Sequence, residues 1–432
     1  MIAAILFTVF IVLMLIGVPV GVALGLGGTV AIVLSNLDTP WYGLLTVPQN
    51  FYAGLAKYPL LAIPMFVLVG SIFDRSGVAK RLVDFAIAIV GRGPGMLPLV
   101  SIAVAMFLGG ISGSGPACAA AVGAVMITAM SRAGYPGSFS ASIVAAGAAT
   151  DILIPPSVAF IIYSVLVPGA SVPALFAAGM VPGILAGLAL IVPAVWLSRK
   201  YKMGALESHL PRPPFWASLR EASWGLAAPV LILGGMRMGW FTPTEAAVVA
   251  ATYALLVSTL VYRELKLNQL YAVFVSAAKT SAIVMFLIAA AMVSAWLITV
   301  ADLPAKVVDM LQPFMGNKIL LMAAIMVLVM VVGTAMDMTP TILILTPVLM
   351  PLVRAAGIDP VYFGVLFIIN NAIGLITPPV GTVLNVVAGV GRISMSQVTR
   401  GVWPFMLAQF AVMFLLVLFP SIVMAPLRWL GG

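Results

Sequence analysis

Long apolar stretches without charge constrain this chain more than any other feature of its sequence. Residues 93–131 carry no charged side chain, and Asp151 is the only one between Arg132 and Arg199. A helix needs about 20 apolar residues to cross the hydrocarbon core of a bilayer, so each stretch has room for one or two crossings. The composition agrees with this, because 63% of the 432 residues are hydrophobic and 8% are charged, against roughly 25% charged residues in ordinary soluble domains.

These stretches predict transmembrane helices and not a transmembrane β-barrel. A barrel strand alternates apolar and polar residues over roughly 10 positions, whereas the stretches here are continuously apolar and rich in Gly, Ala, Leu and Met. Helices satisfy every backbone hydrogen bond within one segment, as a lipid environment requires. The sequence therefore predicts an all-α polytopic membrane protein.

The basic residues lie where membrane topology predicts them, although a net charge of +9 is also typical of proteins that bind nucleic acid. They are scattered over loop positions, so binding to nucleic acid is not expected. The longest polar segment, 199–221, holds five of them and is expected on the cytoplasmic side by the positive-inside rule. No Lys or Arg precedes Lys57, so we expect no cleavable signal and a periplasmic chain start.

The residue inventory argues against catalysis. His209 is the only histidine and Cys118 the only cysteine. Zinc sites and nucleophilic catalysis with histidine therefore have almost no material in this chain. We expect a protein that is not an enzyme.

An internal repeat runs through the chain. Gly110 and Pro155-Pro156 recur 223 positions later as Gly333 and Pro378-Pro379 (333 − 110 and 378 − 155). Transporters often consist of two such halves, in parallel or inverted orientation. The sequence leaves the orientation open, with inversion preferred. The predicted division is a first repeat, a cytoplasmic linker and a second repeat, over residues 1–198, 199–221 and 222–432.

Each half contains two segments that are unable to continue a membrane helix. Residues 109–116 combine four glycines, two serines and a proline, which disfavour a regular helix, and residues 333–341 are their repeat counterpart. Each Pro-Pro pair removes two amide donors and displaces the preceding residue from the helical region. We predict broken helices at all four points, because discontinuous helices expose amides and carbonyls that bind anions and cations within the membrane. The alternatives are a tight helix crossing at 109–116 and simple surface turns at the Pro-Pro pairs.

Asp337 is the strongest single candidate for a cation ligand. It lies in the middle of an apolar span, where an ionisable residue costs at least about 2.5–3.5 kcal/mol to insert and usually has a function. A hydrogen-bonded or protonated structural carboxyl is the alternative. The hydroxyls of Ser112 and Ser114 add hard oxygen ligands of the kind that Na⁺ accepts. Paired broken helices also disfavour a channel, which needs a continuous polar path.

The motifs closely resemble those of the large permease subunit of TRAP (tripartite ATP-independent periplasmic) transporters, the DctM-like family. The resemblance covers essentially the whole chain. The segments that carry it are IPMF at 63–66, SGS at 112–114, IPPS at 154–157, FTPTEA at 241–246, DMTPTILILTPVLMP at 337–351 and GLITPPVG at 374–381.

The resemblance implies an elevator-type, Na⁺-driven secondary transporter in the bacterial inner membrane, with two inverted repeats. Two hairpins and two broken helices would form the mobile part. The implied partners are a small membrane subunit, expected as a separate polypeptide, and a periplasmic substrate-binding protein. The implied substrate is an organic acid anion: a dicarboxylate, sugar acid, sialic acid or keto acid. A single-component Na⁺- or H⁺-coupled organic anion symporter of related architecture is the alternative function.

Mapped onto this chain, the resemblance implies two Na⁺ sites with a substrate site between them. The Na⁺ candidates are Ser112, Gly113, Ser114, Ile154 and Pro155 in the first half and Thr334, Asp337, Thr339, Ile376, Thr377 and Pro378 in the second. The substrate candidates are Pro156, Ser157, Pro379, Thr382 and Asn385. Asp151 departs from the family pattern, which has a small or apolar residue there, and either adds a charge to the first ion site or alters the coupling stoichiometry.

Overall fold

The computed structural model describes residues 2–36, 40–91, 93–207, 212–314, 316–334 and 336–430, so that His209 lies outside it. Every regular element in these ranges is helical, which confirms the predicted all-α class. The α-helices, numbered α1 to α20 in chain order, are Ile2–Leu15, Val20–Ser35, Pro40–Leu55, Ala62–Arg75, Val78–Val90, Met96–Ser112, Gly115–Arg132, Gly137–Asp151, Val158–Leu166, Val172–Lys200, Phe215–Arg237, Pro243–Leu256, Leu267–Val300, Leu303–Leu311, Lys318–Gly333, Met338–Ala355, Pro360–Gly374, Thr382–Gly391, Met395–Leu418 and Ser421–Leu430.

Seven helical segments within the described residues are long and apolar enough to cross a membrane. The longest are α10 and α13, with 29 and 34 residues. At 1.5 Å per residue they extend over roughly 44 and 51 Å, more than the hydrocarbon core of a bilayer. Shorter apolar helices, among them α6, α15 and α17, complete the bundle. The chain is therefore a multi-pass helical protein, as predicted.

The same order of helices occurs twice. α6, α7, α8 and α10 begin at residues 96, 115, 137 and 172, and α15, α16, α17 and α19 begin 222 or 223 positions later, at 318, 338, 360 and 395. The peptide bonds within Pro155-Pro156 and Pro378-Pro379 are both cis. The offset of 223 thus connects helices of the first half with corresponding helices of the second half, as well as single residues.

The helix does end within 109–116, as predicted, but the prediction of one interrupted helix is wrong because the chain reverses direction there. The backbone N–H of Gly95, just before α6, donates to the hydroxyl of Tyr135, just after α7, at 2.7 Å. The outer ends of α6 and α7 therefore meet, and residues 113–114 form the tip of a helical hairpin. A glycine-rich segment permits either an interrupted helix that continues in the same direction or a reversal that forms a hairpin. Packing against α8 decides between the two.

Residues 333–341 need the same correction. Lys318, at the start of α15, donates to the carbonyl of Gly357, just after α16, at 2.9 Å. α15 and α16 thus form a second hairpin, with its tip between Gly333 and Met338. Residue 335 of this tip lies outside the described residues.

Both Pro-Pro pairs interrupt a run of helix. α8 ends at Asp151 and α9 begins at Val158, while α17 ends at Gly374 and α18 begins at Thr382. α8 and α17 are almost completely buried over their whole length. The first interruption lies within the protein, because Pro155 and Pro156 are buried, and the alternative of a surface turn does not apply there. The second interruption follows a buried helix but reaches the protein surface at Pro379 and Val380, which are exposed.

The segment between the two halves is shorter than the predicted linker at 199–221. α10 continues to Lys200 and α11 begins at Phe215. Within this segment Glu207 is buried: its Oε1 accepts the backbone N–H of Leu97 at 2.7 Å, and its Oε2 accepts the hydroxyl of Tyr135 at 2.5 Å. The linker is thus attached to the base of the first hairpin.

Candidate functional site

The tip of the first hairpin rests on the first Pro-Pro break. Gly113 ends α6 with a positive φ of 58°, and a Cβ added there would lie 2.9 Å from the carbonyl oxygen of Pro156. A Cβ added at Gly110 would lie 3.2 Å from the carbonyl oxygen of Pro155. Glycine is therefore needed at the tip for the left-handed turn and for the close approach of two backbones.

Buried oxygen atoms surround this first tip. The hydroxyl of Ser112 donates to Oδ2 of Asp151 at 3.3 Å, and Asp151 and Ser157 are both 0% exposed. Oδ1 of Asp151 and Oγ of Ser157 have no hydrogen-bond partner among the described residues. Buried polar atoms without partners are uncommon and costly. Hydroxyl, carboxylate and carbonyl oxygens are the ligands that hard cations accept, so the residues present fit a bound Na⁺.

The tip of the second hairpin presents Asp337 at the start of α16, where the side chain is exposed. The hydroxyl of Thr382, at the start of α18, donates to Oδ1 of Asp337 at 3.2 Å. The hydroxyl of Thr341 donates to the backbone carbonyl of Asp337 at 2.8 Å. A carboxylate at a helix N-terminus interacts favourably with the helix dipole.

Asp337 and Thr339 open onto a cleft of about 520 Å³. Its opposite walls come from α2 and α13, through residues 19–22 and 282–287. Nearly all of this lining is apolar, and Asp337 is the one residue with a carboxyl side chain among the described residues that line the cleft. A cation or polar ligand in the cleft would therefore be held chiefly from the side of the second hairpin.

The other candidates of the second half lie around the Pro-Pro break, with Ile376, Thr377, Pro378 and Pro379 between α17 and α18. The hydroxyls of Thr334 and Thr377 donate to carbonyls of their own helices, those of Val331 and Ile373, at 2.7 Å each. Donation leaves the lone pairs of a hydroxyl available to a cation. The side-chain amide of Asn385 donates to the carbonyl of Val380 at 2.8 Å.

The four breaks bring helix N-termini together. The tip at Gly113 lies against the backbone N–H of Val158 at the start of α9, 3.2 Å from an added Cβ, and a Cβ at Gly115 of α7 would lie 3.3 Å from Val383 of α18. The hydrogen bond between Thr382 and Asp337 joins α18 to α16. Each helix N-terminus carries a partial positive charge and unpaired N–H groups, which favour bound anions.

The structure places the predicted residues in two groups, one at each hairpin tip, that differ in solvent exposure. Ser112, Ser157 and Asp151 are buried at the first tip, whereas Asp337 and Asn385 are exposed at the second. Ile154 is half-buried at the first break, and its backbone N–H donates to the carbonyl of Asp151 at 3.0 Å. The two halves therefore present similar oxygen atoms in unlike environments.

Sequence reasoning missed the apolar wall of the cleft. α2 approaches α13 at Gly21, where an added Cβ would lie 3.1 Å from the ring of Phe286. No polar motif marks α2. The spacing of its small residues, which permits close helix packing, is the signal that could have identified it.

Comparison with known proteins places the chain in a family. The profile of the DctM component of the tripartite ATP-independent periplasmic transporter matches residues 7–422. The 2,3-diketo-L-gulonate TRAP transporter large permease protein of Escherichia coli is 44% identical over 416 residues, which cover 96% of each chain. The C4-dicarboxylate TRAP transporter large permease protein of Pseudomonas aeruginosa is 36% identical over 95% of this chain and 94% of its own length.

A solved structure shares the fold. The Alcanivorax borkumensis YdaH transporter superposes with a TM-score of 0.61 at 14% identity, over 91% of this chain and 90% of that one. At this identity the likeness concerns the fold alone. The matches to the family profile and to the two permeases extend over nearly the full length of the chain. The chain belongs to the DctM family of TRAP transporters, as its motifs predicted, and is a membrane transport component and not an enzyme.

Proposed function

We propose that this chain is the large membrane subunit of a Na⁺-coupled TRAP importer for an organic acid anion, in the bacterial inner membrane. The observation that carries the proposal is the convergence of four helix N-termini with two oxygen-rich hairpin tips. A carboxylate substrate and a cation need these two kinds of group at the same place. The small membrane subunit and the periplasmic binding protein of a tripartite system are the proposed partners.

The substrate class follows from the helix N-termini. Ser157 occupies the N-cap position of α9 without a side-chain capping hydrogen bond, and Thr382 is the first residue of α18. Both hydroxyls therefore lie where unpaired backbone N–H groups attract a carboxylate. The relatives reported above are named for 2,3-diketo-L-gulonate and for C4-dicarboxylates, which are organic acid anions. Pro156, Pro379 and Asn385 would line the same space.

Sodium coupling is supported by the oxygen atoms at the two tips. The first has Ser112, Ser157 and Asp151 around the carbonyls of the Pro-Pro pair, and the second has Asp337 with Thr382 and Thr339. Bound Na⁺ would supply positive charge beside the anion. The first tip is held in place by the contacts of its glycines with Pro155 and Pro156, and the second by the contact of Gly333 with Gly374.

An inverted repeat is supported by the direction of packing. α10 runs antiparallel to α6, α6 runs parallel to α8, and α8 runs parallel to α19, so α10 and its counterpart α19 run in opposite directions. For α10 and α6 the contacts are Gly187 with Met106 and Val195 with Gly95. For α8 and α6 they are Gly147 with Ala105 and Asp151 with Gly109. For α19 and α8 they are Gly401 with Ser142 and Gln409 with Ala146.

An elevator mechanism suits this arrangement. The hairpins and the interrupted helices form one packed unit, while α2 and α13 pack on each other and form the opposite wall of the cleft. The second tip is open to the cleft, and the first is buried. Movement of the packed unit past the wall would expose the other tip to the other side of the membrane, which is alternating access.

The test is uptake into proteoliposomes that contain this chain with its small membrane subunit. Labelled dicarboxylates, sugar acids, sialic acids and keto acids are offered with and without a binding protein, and with and without an inward Na⁺ gradient. Uptake that needs both the gradient and the binding protein supports the proposal. Uptake driven by Na⁺ through this chain alone would establish the single-component symporter instead, and uptake indifferent to Na⁺ would exclude the coupling.

A further inference from the structure

Each half of the chain has one carboxylate at its break, but at positions that do not correspond. Under the offset of 223, Asp337 corresponds to Ser114 on the first hairpin, while Asp151 corresponds to Gly374 at the end of α17. The second half thus carries its carboxylate on the hairpin tip. The first half carries it on the buried helix that the hairpin tip touches.

The side chain of Asp151 is buried and only partly satisfied. One oxygen, Oδ2, accepts a hydrogen bond from Ser112 at 3.3 Å. The other, Oδ1, has no hydrogen-bond partner among the described residues, and the residue is 0% exposed. The thiol of Cys118, a weak donor, lies beside the carboxyl group and 3.8 Å from the carbonyl of Ala105. A buried carboxylate with so few donors calls for a positive partner.

The first hairpin is shaped to admit this side chain. A Cβ added at Gly109 would lie 2.7 Å from the backbone oxygen of Asp151 and 2.8 Å from its Oδ1. In the second half the residue that corresponds to Gly109 is Val332, and Gly374 itself packs on the backbone of Gly333, 3.0 Å from an added Cβ. The first half has glycine on the hairpin and aspartate on the buried helix, whereas the second half has valine on the hairpin and glycine on the buried helix. Space for a carboxylate on the buried helix therefore exists only in the first half.

We propose that the carboxylate of Asp151 is a direct ligand of the Na⁺ bound at the first hairpin tip. Each of the two cation sites then has one anionic ligand, supplied by the end of α8 in the first half and by the start of α16 in the second. The proposal rests on the Na⁺ coupling proposed above. The cation satisfies Oδ1, and Ser112 and the carbonyls of the Pro-Pro break complete the set of hard oxygen ligands. A carboxylate attracts a small cation more strongly than neutral oxygens do, so this site also favours Na⁺ over K⁺.

The test is equilibrium binding of ²²Na⁺ to the purified complex of this chain with its small membrane subunit, in detergent. Asp151→Asn keeps the volume and the contact with Ser112 but removes the charge. We expect wild type to bind at two sites, and the variant to lose at least tenfold in Na⁺ affinity at one of them. Asp337→Asn is the matched control and should weaken the other site, leaving the first unchanged. Competition by K⁺ against ²²Na⁺ should become more effective at the weakened site of Asp151→Asn.

A second pair of variants tests the role of the charge independently of whether the Asp151→Asn variant folds correctly. Asp151→Gly reproduces the second-half residue and should abolish the first site. Adding Ser114→Asp places the carboxylate on the hairpin tip, as Asp337 does in the second half, and should restore Na⁺ binding to within about threefold of wild type. Recovery would show that a carboxylate at position 114 can replace the one at position 151. A purely structural role for Asp151 does not explain such a replacement.

The outcomes separate this inference from the proposed function. Wild type that binds no Na⁺ overturns both. Wild type that binds Na⁺ at two sites, together with Asp151→Asn of equal affinity and equal K⁺ competition, overturns the role of Asp151 and leaves the coupling intact. Failure of Ser114→Asp to restore the Asp151→Gly variant also counts against the role, provided that both elute as intact complexes.

Discussion

At the scale of residues, glycine positions decide how closely the backbone segments of the site approach each other. The first hairpin tip touches the Pro-Pro break at Gly110 and Gly113, where an added Cβ would lie 3.2 Å from the carbonyl oxygen of Pro155 and 2.9 Å from that of Pro156. Backbone atoms have few ways to move aside. Side chains at these positions would therefore act directly on the geometry of the proposed cation site.

Gly113→Ala is expected to destabilise the complex by about 1–3 kcal/mol, because alanine is strained at a positive φ, and also to impair uptake through the contact with Pro156. Thermal unfolding and proteoliposome uptake measure the two effects. Gly239→Ala is the matched control: its φ is 72° and an added Cβ meets nothing within 4 Å. Equal losses of uptake in the two variants would show that the contact with Pro156 is irrelevant.

Asp337→Asn should reduce Na⁺-driven uptake at least tenfold, because it removes the charge from the cleft while keeping the contact with Thr382. The measurement is initial uptake rate against Na⁺ concentration, with a shift to higher Na⁺ expected. Asp309→Asn, at an exposed carboxylate of α14, should behave as wild type. An unchanged Na⁺ dependence in Asp337→Asn would remove this residue from the coupling.

At the scale of elements, the buried Glu207 joins the linker to the first hairpin. It accepts hydrogen bonds from the N–H of Leu97 at the start of α6 and from the hydroxyl of Tyr135 after α7. One carboxylate thus ties three parts of the chain together at the base of the hairpin. Burial raises the pKa of Glu207 above its ordinary value, and the hydrogen bond from Tyr135 opposes this in part.

The raised pKa gives this attachment a pH dependence. A carboxyl whose pKa is higher in the folded state binds its proton more tightly there, so its contribution is most favourable below the unfolded pKa of about 4.3 and is lost as pH rises through the folded pKa. The apparent Tm of wild type should therefore fall relative to that of Glu207→Gln as pH rises from 4.5 to 8. Parallel Tm curves for the two proteins would contradict the argument.

At the scale of the whole molecule, the hairpins also pack against helices outside the hairpins and the interrupted helices, among them α5, α10, α11 and α13. One of these contacts is at Gly110 on α6, where an added Cβ would lie 3.2 Å from Cβ of Pro229 on α11. This separation is slightly shorter than the Cβ–Cβ distance of about 3.5–4.5 Å in a disulfide, so a small outward shift of α6 or α11 would give bonding geometry. If transport requires α6 to move past α11, a covalent link at this point stops it.

Gly110→Cys is expected to lower uptake by itself, because its Cβ would lie 3.2 Å from the carbonyl oxygen of Pro155. The double variant Gly110→Cys with Pro229→Cys, made on a Cys118→Ala background, should on oxidation lose most of the uptake that remains, and should regain that level on reduction. Each single variant, treated in the same way, shows the effect of oxidation without a link. Uptake that persists in the fully cross-linked protein would refute movement between α6 and α11.

The membrane class, the helical architecture and the repeated Pro-Pro breaks could be predicted from the sequence. Lipid provides no hydrogen bonds, so apolar composition forces local helices, and a proline pair interrupts a helix whatever surrounds it. Asp337 was also evident, since a charge within an apolar span is conspicuous in any sequence.

Only the tertiary structure decided how the glycine-rich breaks at 109–116 and 333–341 are used. Glycine permits many backbone directions, and packing of α6 and α7 on α8 selects the reversal that makes a hairpin. The contact between Ser112 and Asp151, and the room that Gly109 leaves for it, join residues about 40 positions apart. Local sequence specifies helix and break, whereas the meeting of distant side chains depends on how the whole bundle packs.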